Sequence, residues 1–218
     1  MIYDYTTKNT SFLKMAKKLK DSGVKNWNFM LVLYDPKLKD IDPYDKDLSL
    51  EMKARIQKEV MINFWYYIRE VVRINSTAQP VRYELHLGNM ALHYCQLMNL
   101  DSILCLPRQH YKTWSAVCWY SWVYLYAAKN YTIIFSNKQL GDSQENLRRL
   151  MDIIEPLPDY LKSHLNPKYD TDNVNMLALG ENNNKIKALS SPKDEKSADK
   201  LKISFKINLF ILYKTCKY

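Results

Sequence analysis

Glycine and proline are scarce in this chain, with only four glycines and eight prolines among 218 residues. These counts exclude collagen-like chains and low-complexity chains rich in the two residues. The sequence also lacks a self-similar period of the length found in solenoid arrays. With 47% apolar residues there is enough material for a core of ordinary size, and the length predicts one substantial α/β domain.

Cysteine is equally sparse, with four residues and no CxxC pair. No histidine stands at the spacing that would complete a zinc site, so we expect reduced thiols. Long apolar runs are absent too, since no stretch approaches the roughly 18 apolar residues that span a bilayer. The most apolar segment, residues 114–128, contains two serines and is flanked by Lys112 and Lys129. A buried helix there, and a cytosolic protein with no membrane partner, are therefore predicted.

Acidic residues are the minority, 23 against 32 basic ones, which gives a net charge of +9. Residues 185–218 hold nine lysines and three acidic residues, so +6 of the excess lies at that end. A nucleic acid, an acidic partner and a simple basic surface all fit such a balance. Because the charge is concentrated in the tail, it does not by itself predict a DNA-binding groove.

Apolar residues recur at helical spacing in the first third of the chain. The pattern predicts a helix over 11–20 that Gly23 caps, and a second helix from 48 to about 74. Between them, two Asp-Pro steps predict a loop over 34–47. Residues 1–75 are thus predicted to be a helical N-terminal segment.

From residue 76 onward, short apolar runs alternate with helical patterns, which is typical of α/β proteins. Strands are predicted at 102–106, 131–135, 176–179 and 185–189. Helices are predicted at 88–98, 112–128 and 138–155, with a turn or short helix at 156–165. Right-handed crossovers would join these strands into a parallel sheet with helices on both faces.

The junction between the first of these strands and the following helix has the layout of a phosphate-binding loop. Such a loop needs a buried strand, a turn of inward-pointing N–H groups, and Lys followed by Ser or Thr at the start of a helix. Lys112 and Thr113 occupy those last two places, where the lysine would reach the β- and γ-phosphates and the hydroxyl would ligate Mg²⁺. Both glycines of GxxxxGK[ST] are missing, because Leu106 and Tyr111 stand there. A basic helix start with no ligand is the alternative.

Three blocks along the chain carry a resemblance to a known family. They are residues 63–74 (NFWYYIREVVRI), Pro107-Arg108-Gln109 ahead of Lys112-Thr113, and residues 133–138 (IIFSNK). In order and spacing they resemble the ATPase half of large terminase subunits, the DNA-packaging motors of tailed bacteriophages, over roughly residues 12–200. The Arg-Gln-x-x-Lys-Thr form of the Walker A motif is the most specific element.

The resemblance implies a fold and a function. The fold is an α/β, P-loop NTPase-like, mostly parallel sheet with flanking helices, preceded by the helical N-terminal segment. The function is ATP-driven translocation of double-stranded viral DNA into a procapsid in the host cytoplasm. ATP and Mg²⁺ are the implied cofactors, and the portal protein and the small terminase subunit are the implied partners of a homo-oligomeric ring.

Residue by residue, the resemblance implies that Lys112 and Thr113 are the Walker A lysine and hydroxyl residue. It implies that Arg108 senses or stabilises the γ-phosphate in cis. The same nucleotide-binding loop comprises Pro107, Gln109, His110 and Tyr111. Asn89 lies about where an amide reads adenine in this family, with a helix cap as the alternative. The aromatic residues at 65–67 would pack beside the base or, alternatively, form part of the core.

One expected element has no counterpart in the sequence. A P-loop ATPase needs an apolar strand ending in Asp-Glu, which holds the Mg²⁺ water shell and polarises the attacking water. The single Asp-Glu pair, Asp194-Glu195, follows a polar segment. We therefore expect a partial P-loop core over 76–201 with poor hydrolysis, and an atypical tail over 202–218 that is out of frame or truncated. A genuine edge strand is the alternative for the tail.

Two other function classes stay open. A helicase-like P-loop ATPase would also use Lys112 and Thr113, whereas a non-catalytic interaction domain would use Lys112 only at a helix start. The four histidines have no ligand partners at suitable spacing, which favours structural roles. Arg148 and Arg149 would face DNA or a neighbouring subunit, or form a solvated helix face.

Overall fold

The computed structural model of the chain describes residues 1–74, 79–100, 111–162, 171–173, 175–179 and 182–190. Several predicted features lie outside these ranges: the strand at 102–106, Pro107, Arg108, Gln109, His110, the Asp194-Glu195 pair and the tail at 202–218. Across the described residues, every helix is too short or too polar to cross a bilayer.

The N-terminal segment begins with a small antiparallel strand pair and an amphipathic helix. Strand β1 (Ile2–Tyr3) pairs with β2 (Val32–Leu33), and helix α1 (Thr10–Asp21) lies between them in the chain. Helix α1 buries Phe12, Met15 and Ala16, while its lysines stay at the surface. It ends at Asp21, and Gly23, two residues later, has a φ of 78°, which suits a residue without a side chain. The predicted helix and its glycine cap are confirmed.

The second predicted helix is interrupted near its middle. Helix α2 (Leu50–Ile62) ends at Asn63, and a short helix α3 (Phe64–Tyr66) follows and continues as one π-helical turn over Tyr67–Val71. Asn63 has an extended backbone, and its side chain accepts a hydrogen bond from the N–H of Tyr66. An asparagine in this role starts a new helix. The single helix predicted over 48–74 is therefore wrong at this point.

The later helices fall close to where the sequence predicts them. A two-stranded hairpin of β3 (Arg73–Ile74) and β4 (Val81–Arg82) comes first. The helices that follow are α4 (Leu87–Leu97), α5 (Lys112–Trp122) with a π-helical turn at Val123–Ala127, and α6 (Leu140–Ile154). A single 3₁₀ turn at Asp159–Lys162 follows α6.

The described sheet has four strands in the order β5-β8-β7-β6: β5 (Thr132–Asn137), β6 (Thr171–Asn173), β7 (Met176–Leu179) and β8 (Asn184–Ser190). Strands β5 and β8 are parallel, as predicted, while β8 pairs with β7 and β7 with β6 in antiparallel fashion. The connection from β7 to β8 is too short for the crossover that parallel neighbours need. These two strands must therefore pair in antiparallel fashion. Among the described strands the sheet is therefore mixed rather than mostly parallel.

Helix α6 packs on this sheet and is fixed to it by one serine. Ser143 accepts a hydrogen bond from the backbone N–H of Asn137 over 2.9 Å and donates one to the carbonyl of Leu189 over 2.7 Å. Leu147 and Leu150 of α6 are buried in the same core as Ile133 of β5. Ser143 thus joins α6 to the C-terminal ends of both β5 and β8.

Helix α5 lies at the centre of the core, and every residue from 115 to 122 is buried. The Phe64 ring contacts Trp119 and Trp122 with centroid separations of 5.0 and 5.4 Å. The Trp122 indole N–H donates to the carbonyl of Val60 over 2.7 Å. The residues at 65–67 are buried as well, so these aromatic side chains form the core rather than a surface for a base.

Candidate phosphate-binding turn

Tyr111, the residue before α5, has a left-handed backbone. Its φ is 49° and its ψ is 19°, and its side chain is half exposed. A bulky residue rarely adopts this conformation, which glycine takes without strain. The turn therefore has at Tyr111 the backbone conformation that glycine supplies ahead of the lysine in a phosphate-binding loop, although the glycine itself is replaced.

Lys112 and Thr113 are the first two residues of α5, and both are partly exposed. The Tyr111 side chain does not cap the helix, and the first turn contains no acidic residue. The partial positive charge of this helix end is therefore not offset within the turn, which favours an anion. Of the predicted loop residues, Tyr111, Lys112 and Thr113 lie within the described part of the chain.

Asn89 is a capping residue at the start of α4. Its side-chain oxygen accepts from the N–H of His86 over 2.8 Å, and its amide nitrogen donates to the carbonyl of Glu84 over 2.9 Å. Because the amide is buried and committed to these partners, the geometry agrees with the cap alternative and gives the adenine-reading role no support.

A cleft of about 450 Å³ lies between α1 and residues 82–87. Its cationic lining consists of Lys8, Lys14, Lys18 and Arg82, against the single carboxylate of Glu84. Two of these cations have acidic partners, since Lys8 lies 3.6 Å from Asp42 and Arg82 lies 3.1 Å from Glu70. Sequence reasoning missed this feature, because the lysines of α1 have the spacing of an ordinary solvated face.

The cleft adjoins the turn before α5. His86 lines the cleft, and its ring lies 6.3 Å from the ring of Tyr111, centroid to centroid. A ligand whose phosphates contact the start of α5 would therefore have the cationic cleft beside it. Such a cleft raises the local concentration of an anionic ligand.

A buried polar group of Ser115, Tyr83 and His93 contacts the backbone of the turn. Ser115 donates to the carbonyl oxygen of Tyr111 from its backbone N–H over 2.8 Å and from its hydroxyl over 2.9 Å. The phenol oxygen of Tyr83 lies 2.8 Å from both the Ser115 hydroxyl and the Nε2 atom of His93. Burial lowers the pKa of His93 to about 4, so the imidazole is neutral at pH 7. His93 is thus structural, as the sequence favours.

Two other kinds of candidate site were a metal-binding cluster and the arginine pair of α6. In the part of the chain that the structure describes, no group of three or more His, Cys, Asp or Glu side chains could hold a metal ion. Arg148 and Arg149 both pair with Glu145 on the exposed face of α6, at 2.7 and 3.3 Å. This arrangement fits the solvated-face alternative for the two arginines.

The turn at Tyr111, Lys112 and Thr113, with the cationic cleft beside it, is the candidate site of the described chain. The structure places Asn89 in a cap instead, and Arg108 lies outside the described residues. No family model matches the chain, and comparison with curated proteins gives no match either.

Proposed function

We propose that this chain is the ATPase part of a large terminase subunit, a motor that packages double-stranded viral DNA, and that it binds ATP at the start of α5. The observation that carries the proposal is the left-handed Tyr111 directly before Lys112 and Thr113. A glycine-free loop would lose its phosphate geometry if the backbone avoided that conformation. Tyr111 has that conformation, so the missing glycine does not exclude a phosphate site at this turn.

In this proposal each residue of the turn has one task. The Lys112 ammonium contacts the β- and γ-phosphates, and the first N–H groups of α5 bind phosphate oxygens. The Thr113 hydroxyl contributes one oxygen ligand to Mg²⁺, which when bound neutralises negative charge on the phosphates. Arg108 stabilises the γ-phosphate, a role that rests on the family resemblance alone, and Pro107, Gln109 and His110 complete the loop on the same basis.

Binding and hydrolysis are separate expectations. The 218 residues contain no apolar run that ends in Asp-Glu. In P-loop ATPases that carboxylate polarises the attacking water. We therefore propose that this chain by itself binds ATP with Mg²⁺ and hydrolyses it slowly. DNA, the portal protein, the small terminase subunit, a ring of identical copies and a place in the host cytoplasm belong to the same proposal.

A fluorescent ATP analogue tests the binding step. Wild-type protein should bind the analogue in the presence of Mg²⁺, and Lys112→Ala should weaken binding by at least about tenfold, because a charge-assisted contact is worth about 1.5 to 3 kcal/mol. Lys129→Ala is the matched control, since it removes one exposed lysine just beyond the opposite end of the same helical segment.

Three outcomes would count against parts of this proposal. Equal binding by Lys112→Ala and Lys129→Ala would remove the turn as the phosphate site. No binding by folded wild-type protein would favour a non-catalytic interaction domain. Turnover stimulated by single-stranded nucleic acid would favour the helicase-like alternative.

A further inference from the structure

The left-handed backbone of Tyr111 is unusual within this molecule. The other non-glycine residues with positive φ in the described chain are aspartate or asparagines: Asp40, Asn99, Asn130 and Asn183. These residue types tolerate that region because their short polar side chains bond locally. Tyrosine has no such local compensation, so the conformation at Tyr111 needs support from elsewhere in the fold.

A buried polar group ends on the Tyr111 carbonyl and is placed to give such support. Tyr83, Ser115 and His93 are at most 1% exposed, so water does not compete for their hydrogen bonds. Ser115 contacts the carbonyl of Tyr111, Tyr83 contacts Ser115, and His93 contacts Tyr83. This series of hydrogen bonds continues to Gln96, whose side-chain oxygen lies 3.0 Å from Nδ1 of His93.

The direction of these hydrogen bonds follows from their chemistry. A carbonyl oxygen only accepts, so the Ser115 hydroxyl must donate to Tyr111 and accept from the Tyr83 phenol. Burial raises the pKa of Tyr83 well above its ordinary value, which keeps the phenol proton in place. The phenol oxygen then accepts from Nε2–H of His93. Every proton in this part of the network points toward the Tyr111 carbonyl.

A second buried tyrosine–serine pair, which joins Tyr67 to Ser121 of α5, has the same chemistry in a different place. The Tyr67 phenol lies 2.8 Å from the Ser121 hydroxyl, which donates to the carbonyl of Cys118 over 2.8 Å. Both residues are fully buried. This pair ends on a carbonyl inside the helix, well away from the turn, and so supplies a matched comparison.

We propose that Tyr83 and Ser115 are positioning residues of the nucleotide site. Through the Tyr111 carbonyl they hold the left-handed turn, and the turn aims Lys112 and the first N–H groups of α5 at the phosphates. The inference rests on the proposed function, because it assigns a purpose to the turn. It separates these two residues from ordinary core polar groups such as Tyr67 and Ser121.

Affinity for the fluorescent ATP analogue distinguishes positioning from general stability. Tyr83→Phe and Ser115→Ala should each weaken binding by about fivefold, the effect of losing one net hydrogen bond at the turn. Tyr67→Phe and Ser121→Ala should lower the melting temperature to a similar extent and leave the affinity unchanged. Equal loss of affinity in both pairs, or none in Tyr83→Phe and Ser115→Ala, would overturn the proposal.

A rescue experiment makes the test specific to the backbone of Tyr111. Glycine adopts a left-handed conformation without outside support. Adding Tyr111→Gly to Tyr83→Phe should therefore restore most of the lost affinity, whereas adding it to Lys112→Ala should restore none. Failure of Tyr111→Gly to rescue Tyr83→Phe would show that the phenol acts by another route.

Thermal unfolding without nucleotide tests whether Tyr83 holds the turn, independently of nucleotide binding. The fall in melting temperature caused by Tyr83→Phe should be smaller in the Tyr111→Gly background than in wild type, because the two residues are coupled. The fall caused by Tyr67→Phe should be the same in both backgrounds. If wild-type protein binds no nucleotide, the proposed function fails, and this coupling alone decides whether Tyr83 holds the turn. Additive effects for Tyr83→Phe would then overturn the inference.

Discussion

His86, which lines the cationic cleft, and Tyr111, which directly precedes α5, lie ring beside ring, 6.3 Å apart between centroids. The contact joins two parts of the chain that are 25 residues apart in the sequence. A long anionic ligand bound at the turn would therefore have the cationic cleft beside it.

A lysine of the cleft should contribute to nucleotide affinity through its charge. Lys14 lines the cleft, while Lys17 lies on the same helix outside it, and both are exposed. Lys14→Ala should weaken binding of the fluorescent ATP analogue by about twofold to fivefold at low salt, and Lys17→Ala should not. The difference should shrink as salt is added, because ions screen exposed charges. An equal effect of the two substitutions would show that only net charge matters.

Tyr111→Gly should raise the stability of the protein or leave it unchanged. The substitution removes the strain of a left-handed tyrosine, and this offsets the greater backbone freedom that glycine has in the unfolded chain. Tyr94→Gly is the contrasting variant, since Tyr94 lies on α4 and is also exposed, and it should lower the free energy of unfolding by about 1 kcal/mol or more. Chemical denaturation measures both. A loss for Tyr111→Gly as large as that for Tyr94→Gly would contradict the strain argument.

The turn shows what the sequence can and cannot reveal about this site. Strand and helix patterns place Lys112 and Thr113 at a helix start, because periodicity and spacing are local properties. The backbone of Tyr111 is not a local property, since tyrosine by itself avoids the left-handed region. The residues that we propose as its support include Tyr83 and His93, which lie 28 and 18 residues earlier in the chain. No short pattern records such a contact.

Asn63→Ala should destabilise the fold more than the loss of an ordinary helix cap does. The buried Asn63 side chain accepts from the N–H of Tyr66 and donates to the carbonyl of Val32 and to the carboxylate of Glu59. We expect a loss of about 2 to 4 kcal/mol, because the cap goes and buried partners are left unsatisfied. Ser49→Ala, at the exposed cap of α2, should cost about 1 kcal/mol. Similar losses for the two variants would disprove the linking role of Asn63.

The same residue explains the error in the predicted second helix. Apolar spacing continues through Asn63 without a gap, so periodicity alone predicts one long helix. The hydrogen bond of Asn63 to Val32, 31 residues away, stabilises the break, and only the folded chain brings these two residues together. The antiparallel pairing of β7 with β8 could have been inferred from the short turn between them, whereas the parallel pairing of β5 with β8 follows the α/β pattern.

Buried His93 should make stability depend on pH between about 4 and 6.5. Burial lowers its pKa from 6.5 to about 4, so in this window the unfolded chain binds a proton that the folded protein does not. Stability is therefore fully present above the unfolded pKa and is lost as the pH falls, by up to about 3 kcal/mol at the lower end. His93→Gln should flatten this part of the profile, as measured by denaturation at several pH values. An unchanged slope would mean that other groups carry the dependence.

The most direct test of the phosphate-binding turn is the amide signal of Trp114, the third residue of α5, in protein labelled with ¹⁵N at tryptophan. The five tryptophans give five amide signals, and those of Trp27, Trp65, Trp119 and Trp122 serve as internal controls. Addition of ATP with Mg²⁺ should shift the Trp114 amide and leave the other four unchanged, and Lys112→Ala should abolish the shift. A Trp114 amide that stays in place while ATP binds, or one that shifts equally in Lys112→Ala, would contradict the account.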